Sequence, residues 1–202
     1  MQILSIIVFF ITSCIVFPFA LDNLNTISIV AYPAVWVVSI FAIHIATHTL
    51  FQEERTNGII DMWVQLSPSM YLIAISYVIS LFCVYGLAII AVLPVVSLLF
   101  GIPANIVVFL ALSLLTTLPG LFAVYSFTNT LTSCVKNGAV LSTIITLPFA
   151  IPFIIFGAGA IKNLTLGLNV IYPLLLAGGL SIIALLLCPL GISYLLRLQA
   201  SE

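Results

Sequence analysis

Residues 70–100 of the chain read MYLIAISYVISLFCVYGLAIIAVLPVVSLLF, and they lie within a longer stretch, from Met62 to Val135, that contains no Asp, Glu, Lys or Arg. A soluble domain of this size has about a quarter of its residues charged. A membrane-spanning helix needs about 20 apolar residues to cross a hydrocarbon core of about 30 Å. The stretch therefore predicts helices that lie in lipid.

The composition of the whole chain supports the same class. Of its 202 residues, 64% are hydrophobic and 4% are charged, and the mean hydropathy is +1.42. These values exclude a water-soluble globule and predict an all-α polytopic membrane protein, with residues 1–202 as a single transmembrane domain. Continuous apolar runs are unlike the in-out alternation of β-barrel strands. A net charge of -1 leaves no basic patch for nucleic acid.

Six apolar segments along the chain predict six spans with short connections. A turn at Gly101-Ile102-Pro103-Ala104-Asn105 separates the third span from the fourth, a polar link at residues 128–137 follows the fourth, and Lys162-Asn163 ends the fifth. Tyr32 and Trp36 are predicted to be interfacial anchors near the start of the second span. The predicted spans are residues 3–21, 29–51, 70–100, 106–127, 138–161 and 168–196.

The positive charges predict the orientation of the chain in the membrane. With the N-terminus inside, Arg55, Lys136 and Arg197 lie on the cytoplasmic side and Lys162 lies outside. This arrangement predicts a multi-pass protein with both termini in the cytoplasm. The bacterial inner membrane is the expected location and the mitochondrial inner membrane is the alternative, and the charges do not distinguish the two. A second interpretation of the first span, as a signal peptide, is disfavoured because no basic residue precedes it.

The connection between the second and third spans carries most of the charge. Its residues 51–61 read FQEERTNGIID, in which Glu53, Glu54 and Asp61 outnumber Arg55. After it, apolar residues recur with the spacing of one helical face, while Asp61 and Gln65 point the other way: Ile59, Met62, Trp63 and Leu66. This pattern predicts a short amphipathic helix in the membrane interface. It serves either as a lipid-bound connector or as an element that couples to a soluble partner.

Prolines inside the predicted spans are the next feature. Pro148 and Pro152 lie one turn apart in the fifth span, and each removes a backbone donor and clashes with the preceding turn. We therefore expect the fifth helix to kink or break there, facing protein or a hydrated cavity. Pro94 and Pro119 allow the same two interpretations, packing or function.

Two segments resemble the cytochrome c maturation B family, the haem exporter B subunits. The segment 51–61 shows the family's Phe, paired acids, Gly and further acid. Lys136-Asn137-Gly138, followed by Leu147-Pro148, Ile151-Pro152 and Ile155-Phe156, is similar to the family's fifth span. Pro119, seventeen residues before Lys136, also matches, so the resemblance covers residues 9–197.

The resemblance implies a six-span permease of the type-2 ABC exporter class with haem as its possible substrate. It implies an ATPase partner, the cytochrome c maturation A subunit, together with membrane subunits C and D and the haem chaperone E. ATP would act only through that partner. The residues implied in coupling to the ATPase are Gln52, Glu53, Glu54, Arg55, Thr56, Gly58, Asp61 and Trp63, and those implied in helix breaking and translocation are Pro119, Lys136, Pro148 and Pro152.

Two departures from the family limit what is carried over. Members usually begin with a basic amphipathic segment, whereas this sequence enters apolar residues directly after Met1-Gln2. Where members often have Glu-Arg before the end of the second span, this chain has His48-Thr49. His44 and His48 lie one turn apart, and three roles stay open for them: structural hydrogen bonding, a haem contact or a shared metal.

Catalytic motifs are missing from the sequence. There is no phosphate-binding loop ending in Lys-Ser or Lys-Thr, no Gly-x-Ser-x-Gly and no His-Glu-x-x-His. The four cysteines, at positions 14, 83, 134 and 188, are too scattered for a Cys-x-x-Cys pair. We therefore expect a transporter subunit without a covalently bound cofactor. The alternatives are a permease of the same class for a lipid, glycan or drug, and a membrane scaffold that does not transport.

Overall fold

The structure, a computed structural model, describes residues 2–20, 24–66, 69–133, 135 and 138–199. These residues contain no strand. They form eight α-helices and one π-helical turn: α1 (Gln2–Ala20), α2 (Leu24–Thr56), α3 (Ile59–Leu66), α4 (Met70–Leu81), the π-helical turn (Phe82–Gly86), α5 (Leu87–Phe100), α6 (Ala104–Thr132), α7 (Gly138–Thr165) and α8 (Ile171–Gln199).

Six helical segments in the described residues are long and apolar enough to cross a membrane, which confirms the predicted class. They are residues 3–20, 30–56, 70–100, 104–132, 138–165 and 171–198. Their outward-facing side chains are large and apolar; Phe19 and Leu98, for example, are 85% and 84% exposed. Such a surface requires lipid around it. The short helix α3 and the two ends of the described chain lie at one end of the bundle, which we call the α3 end.

Helix α6 forms the centre of the bundle. It packs most extensively against α8 and α7 and also contacts α2, α4 and α5, while α1 lies outside against α2 and α5. Along α6, buried side chains continue without a gap from Gly120 to Ser126. A helix that is buried all around has neighbours on every side. Motion of any surrounding helix must therefore be accommodated by α6.

Helix α6 approaches α8 closely at Gly120. Its backbone N–H donates a hydrogen bond of 2.7 Å to Ser181 Oγ, and a Cβ at this position would lie 2.6 Å from Ser181 Cα. The preceding residue, Pro119, has no N–H and its ring disturbs the preceding helical turn. Gly120 therefore allows α6 to pack closely against α8, and the role of Pro119 stays a prediction.

The connection between α7 and α8 differs from its prediction. Lys162-Asn163 was predicted to end the fifth span, but α7 continues to Thr165. The helix is terminated by Gly167, two residues after its last residue, which has a left-handed φ of 68°. Leu168 N–H donates to Asn163 O at 2.8 Å and Gly167 N–H to Leu164 O at 3.2 Å, the hydrogen bonds of a Schellman cap. The last helix consequently begins at Ile171 rather than near residue 168.

The predicted polar link at residues 128–137 is wrong in its first half. Residues Thr128 to Thr132 belong to α6, and four of them are buried: Thr128, Asn129, Thr130 and Thr132. Polar side chains are tolerated there because they hydrogen bond to carbonyls one turn back and to α7. The remainder of the link includes Lys136, which lies outside the described residues.

Two further predictions need correction. The predicted break in the fifth span is absent, since α7 stays helical through Pro148 and Pro152. Trp36 is not an interfacial anchor, because it is fully buried and packs against Gly157 of α7, where a Cβ would overlap its ring. Glycine at 157 thus provides the space that the indole occupies between α2 and α7.

Candidate functional site

The charged residues 52–66 form a corner at the α3 end, and we call this segment the α2–α3 corner. It was predicted to begin as a loop, but α2 remains helical as far as Thr56. The chain then reverses at Gly58, whose φ of 71° lies in the left-handed region that favours glycine, and its N–H donates to Arg55 O at 3.1 Å. Gln52 lies in α2, and its side chain is outside the description.

The three acids of the corner point in different directions. Glu53 and Asp61 are exposed, whereas Glu54 is half-buried. Thr56 is exposed too, and its hydroxyl donates to Glu53 O at 3.0 Å. Of the three acids, Glu53 and Asp61 are therefore the two that are exposed at the surface of the corner. The sequence predicted all three acids to act together.

Arg55 ties the corner to the central helix. Its Nη1 donates to Ser133 Oγ at 2.7 Å, directly after the end of α6, and Ser133 Oγ in turn donates to Thr130 O at 2.8 Å. Hydrogen bonds from a guanidinium are stronger than those between neutral groups. The corner is therefore connected to the end of α6 by a side-chain hydrogen bond.

Helix α3 occupies the residues where a short amphipathic helix was predicted. Ile60 is buried and Trp63 is partly buried, whereas Met62 is 51% exposed. The Trp63 ring packs edge-on against Tyr77 of α4, with 5.6 Å between ring centroids. The location of α3 in the membrane interface stays a prediction.

A group of buried polar side chains joins α6 to α7, and we call it the polar seam: Thr128, Asn129, Ser142 and Thr146. The hydroxyls of Thr128 and Thr146 are 2.6 Å apart, and Ser142 Oγ donates to Asn129 Oδ1 at 2.7 Å. Asn129 Nδ2 makes no hydrogen bond within the described residues. These hydrogen bonds fix the alignment of α6 and α7 relative to each other at the α3 end.

His44 lies beside the polar seam. Its Nε2 is 2.8 Å from Thr143 Oγ1, which also donates to Ala139 O at 2.9 Å, so His44 is the donor through Nε2. The ring of Tyr125 is 5.4 Å away and that of His48 is 6.3 Å away. These contacts support the structural interpretation of His44. No group of three potential metal ligands occurs among the residues that the structure describes.

The prolines of α7 face two different environments. Pro148 is exposed on the outer surface, and Pro152 lines a cavity of about 290 Å³ between α6, α7 and α8. Apolar side chains and Cys188 surround this cavity. Pro152 therefore faces protein, as one of the two expected alternatives had it, whereas Pro148 faces outward, and the role of both prolines in translocation stays a prediction.

A double-mutant cycle at Thr128 and Thr146 checks the polar seam. Interhelical hydrogen bonds in membranes contribute about 0.6 kcal/mol on average and up to about 1.7. We expect Thr128→Val and Thr146→Val to show a coupling free energy in that range, measured by unfolding in mixed micelles. Thr128→Val combined with Ser113→Ala is the control and should be additive, since Ser113 binds Gly157 O instead. Zero coupling in the first pair would contradict the seam.

Sequence reasoning missed the seam residues because it assigned half of them to a loop. One signal was available. Ser142 and Thr146 lie at the i, i+4 spacing of one helical face, and so do Thr128 and Thr132. Two apolar helices that each carry a polar face near the same end predict a contact between these faces. Tyr77, which packs on the corner, had no such signal.

Comparison with known proteins adds independent information. The model of the family described as CcmB protein matches residues 1–199 of the chain. Heme exporter protein B of Pseudomonas aeruginosa is 29% identical over 197 residues, covering 97% of this chain and 88% of that protein. Heme exporter protein B of Haemophilus influenzae is 26% identical over 201 residues, covering 98% and 90%. The Rhodobacter capsulatus protein of the same name is 24% identical over 170 residues, covering 84% and 78%.

Proposed function

Since this chain belongs to the CcmB family, we propose that it is the membrane-spanning permease subunit of a haem exporter in c-type cytochrome biogenesis. The observation that carries the proposal is the family match over residues 1–199, which covers all six spans. Relatives named heme exporter protein B align with most of the chain. The protein is in this proposal a transporter subunit rather than an enzyme, and haem is its cargo.

The energy for transport comes from a separate ATPase chain in this proposal. The sequence carries no phosphate-binding loop, so the chain needs a partner to hydrolyse ATP. Glu53 and Asp61 form the exposed acidic side of the α2–α3 corner. Complementary charge on the partner would guide docking and set its register. The partner is the cytochrome c maturation A subunit, and subunits C, D and the haem chaperone E complete the system.

Motion of the corner then reaches the bundle by two routes. The Arg55–Ser133 hydrogen bond passes it to the end of α6. The polar seam passes it from α6 to α7, whose far end lies beside a cavity of about 700 Å³ between α2 and α7. Packed helices shift as rigid bodies rather than deforming continuously. ATP-driven movement at the α3 end would thus change the spacing of α2, α6 and α7.

The orientation follows from the same proposal. The protein is a multi-pass component of the bacterial inner membrane, and its α3 end faces the cytoplasm, where ATP is available. Arg55 and Arg197 both lie at the α3 end, whereas Lys162 lies near the opposite end of α7. This distribution agrees with the excess of positive charge on cytoplasmic loops.

The haem assignment is tested by deletion of the gene in its host. We expect holocytochrome c on the outer side of the membrane to fall at least about tenfold and to return when the chain is expressed again. Apocytochrome levels and a lipid-anchored reporter protein serve as controls for general secretion. Normal holocytochrome c in the deletion strain would contradict the haem assignment and favour another cargo for the same permease architecture.

A further inference from the structure

The cavity of about 700 Å³ between α2 and α7 is a groove at the end of the bundle opposite α3. Both helices are membrane spans there, so lipid surrounds the groove. Its volume lies within the range of about 300 to 1,000 Å³ that is typical of small-molecule sites. The apolar part of its wall is formed by Pro33, Ile154, Ile155, Ala158 and Leu166. A ligand for this groove therefore needs an apolar body.

The space beside Gly159 is open. A Cβ built at this position meets no neighbouring atom within 4 Å, and Gly159 lines the groove. Ile155 lies one turn earlier on the same helix and lines it too. The missing side chain at Gly159 thus leaves room for an extended apolar chain along α7.

Two polar groups line the groove without a hydrogen-bond partner in the described part of the chain, the Tyr32 hydroxyl and the Lys162 ammonium. Lys162 is exposed and Tyr32 is partly exposed, so neither side chain is sealed inside the bundle. The described residues that line the groove include no acid. An ammonium and a hydroxyl are both donors, and a charged donor binds an anion more strongly than a neutral acceptor. The polar part of the ligand is therefore an anion.

Tyr32 and Lys162 lie at nearly the same depth in the membrane. Trp36 packs against Gly157, which gives α2 and α7 a common reference point. From this contact, at 1.5 Å per residue, Tyr32 lies about 6 Å and Lys162 about 7.5 Å towards the end of the bundle opposite α3. Tyrosine and lysine side chains near the ends of membrane helices extend to the level of the lipid headgroups. The anion therefore lies at the headgroup level, with the apolar body deeper in the membrane.

The Lys162 ammonium is not required to end α7. The last carbonyls of the helix already accept hydrogen bonds, since Thr165 Oγ1 donates to Lys162 O at 2.8 Å and Leu168 N–H donates to Asn163 O at 2.8 Å. These contacts use backbone and hydroxyl donors only. The ammonium consequently remains available to a ligand.

The donors of the groove favour a phosphodiester over haem. Haem carries two carboxylates, and its iron is held by His, Cys or Met in most haem proteins and by Tyr in catalase. The groove offers one cation and no His, Cys or Met among the described residues that line it. A tyrosine that binds the iron must lie over the centre of the macrocycle, whereas Tyr32 lies level with Lys162 at the polar end. One ammonium and one hydroxyl match a single phosphate.

We propose that this groove is a site for an anionic phospholipid from the leaflet opposite the α3 end. Lys162 and Tyr32 bind its phosphate, and one acyl chain lies along α7 beside Gly159. A zwitterionic lipid is disfavoured because its ammonium is repelled by Lys162 and finds no carboxylate in the described wall of the groove. The site is separate from the cargo and from the ATPase, so it does not depend on the proposed function.

The test uses the purified full chain in nanodiscs that contain equal amounts of phosphatidylglycerol and phosphatidylethanolamine. Native mass spectrometry identifies the lipid that stays bound after transfer to detergent. We expect the wild type to retain phosphatidylglycerol and Lys162→Gln to retain about tenfold less, a change of about 1.4 kcal/mol. Lys162→Arg should retain it like the wild type. Arg197→Gln is the matched control, because it removes an exposed cation at the α3 end and should leave retention unchanged.

Gly159→Leu gives a second test that keeps the ammonium. The added side chain enters the open space beside Gly159 and should displace the acyl chain, so that retention of phosphatidylglycerol falls although Lys162 is present. An unchanged Tm in detergent would show that this variant is folded.

Several results would overturn the proposal. They are equal retention of both lipids by the wild type, undiminished retention of phosphatidylglycerol by Lys162→Gln or Gly159→Leu, and an equal loss in Arg197→Gln. Haem added to the nanodiscs distinguishes the cargo from the lipid. Displacement of phosphatidylglycerol by haem in the wild type, together with loss of haem retention in Gly159→Leu, would assign the groove to the cargo instead.

Discussion

The variant Glu53→Lys with Asp61→Lys is expected to bind the ATPase subunit at least about a hundredfold more weakly than the wild type. Both side chains are exposed, so their replacement should not disturb the bundle. In the proposal, the ATPase surface that faces these two acids is positively charged. Placing lysines opposite that surface costs several kcal/mol. Each 1.4 kcal/mol is a factor of ten in affinity. Transport should fail as a result, because the ATPase subunit no longer binds the α2–α3 corner.

The measurement is the amount of ATPase subunit recovered with the tagged chain, together with holocytochrome c in the same cells. Asn105→Lys with Thr165→Lys is the placement control, since both residues are exposed at the end of the bundle opposite α3. It should recover the ATPase subunit normally. Recovery equal to that of the wild type in the Glu53 and Asp61 variant would mean that docking uses another surface.

Gly157→Ala is expected to destabilise the bundle. The added methyl group would overlap ring atoms Cζ2 and Cη2 of Trp36, which is fully buried and has no room to move. The backbone at Gly157 is also held from the other side, because Ser113 Oγ donates to its carbonyl at 2.8 Å. Overpacking of a filled interior costs about 1 to 3 kcal/mol. The contact between α2 and α7 should therefore loosen.

Thermal unfolding in detergent measures this effect. We expect a decrease in Tm of about 2 to 12 °C for Gly157→Ala, from about 1 to 3 kcal/mol at about 2 to 4 °C per kcal/mol. Gly159→Ala lies in the same helix two residues later and has open space around its Cβ position. It should be neutral or slightly stabilising, because alanine has the higher helix propensity. Equal effects of the two substitutions would exclude the Trp36 overlap as the cause.

The class of the fold and the number of spans follow from composition, because the requirement for apolar helices of about 20 residues acts locally along the chain. Interior details depend on neighbours that are distant in sequence. From the sequence alone, Trp36 is predicted to be an interfacial anchor. Its burial depends on Gly157, on another helix, which provides space for its ring. Thr128 and Asn129 are predicted to lie in a loop because they are polar. Their place in a helix depends on hydrogen bonds with Thr146 and Ser142, which are distant in sequence.

The candidate site was predicted in part. The charge cluster located the corner correctly, because charged residues inside an apolar chain mark where it leaves the lipid. The directions of the three acids could not be predicted, since they depend on α2 continuing to Thr56 and on the left-handed turn at Gly58. The π-helical turn at Phe82–Gly86 had no local signal in the sequence.

A cross-link between Asp61 and the ATPase subunit tests the central proposal most directly. The native cysteines are replaced by serine, and Asp61→Cys introduces a single new cysteine. Intact complexes that contain this variant are then treated with a short thiol-to-amine cross-linker. The account predicts an adduct that contains this chain and the ATPase subunit, and protection of the cysteine from impermeant reagents added outside the cell. An accessible cysteine on the outer face, with no adduct to an ATPase, would contradict it.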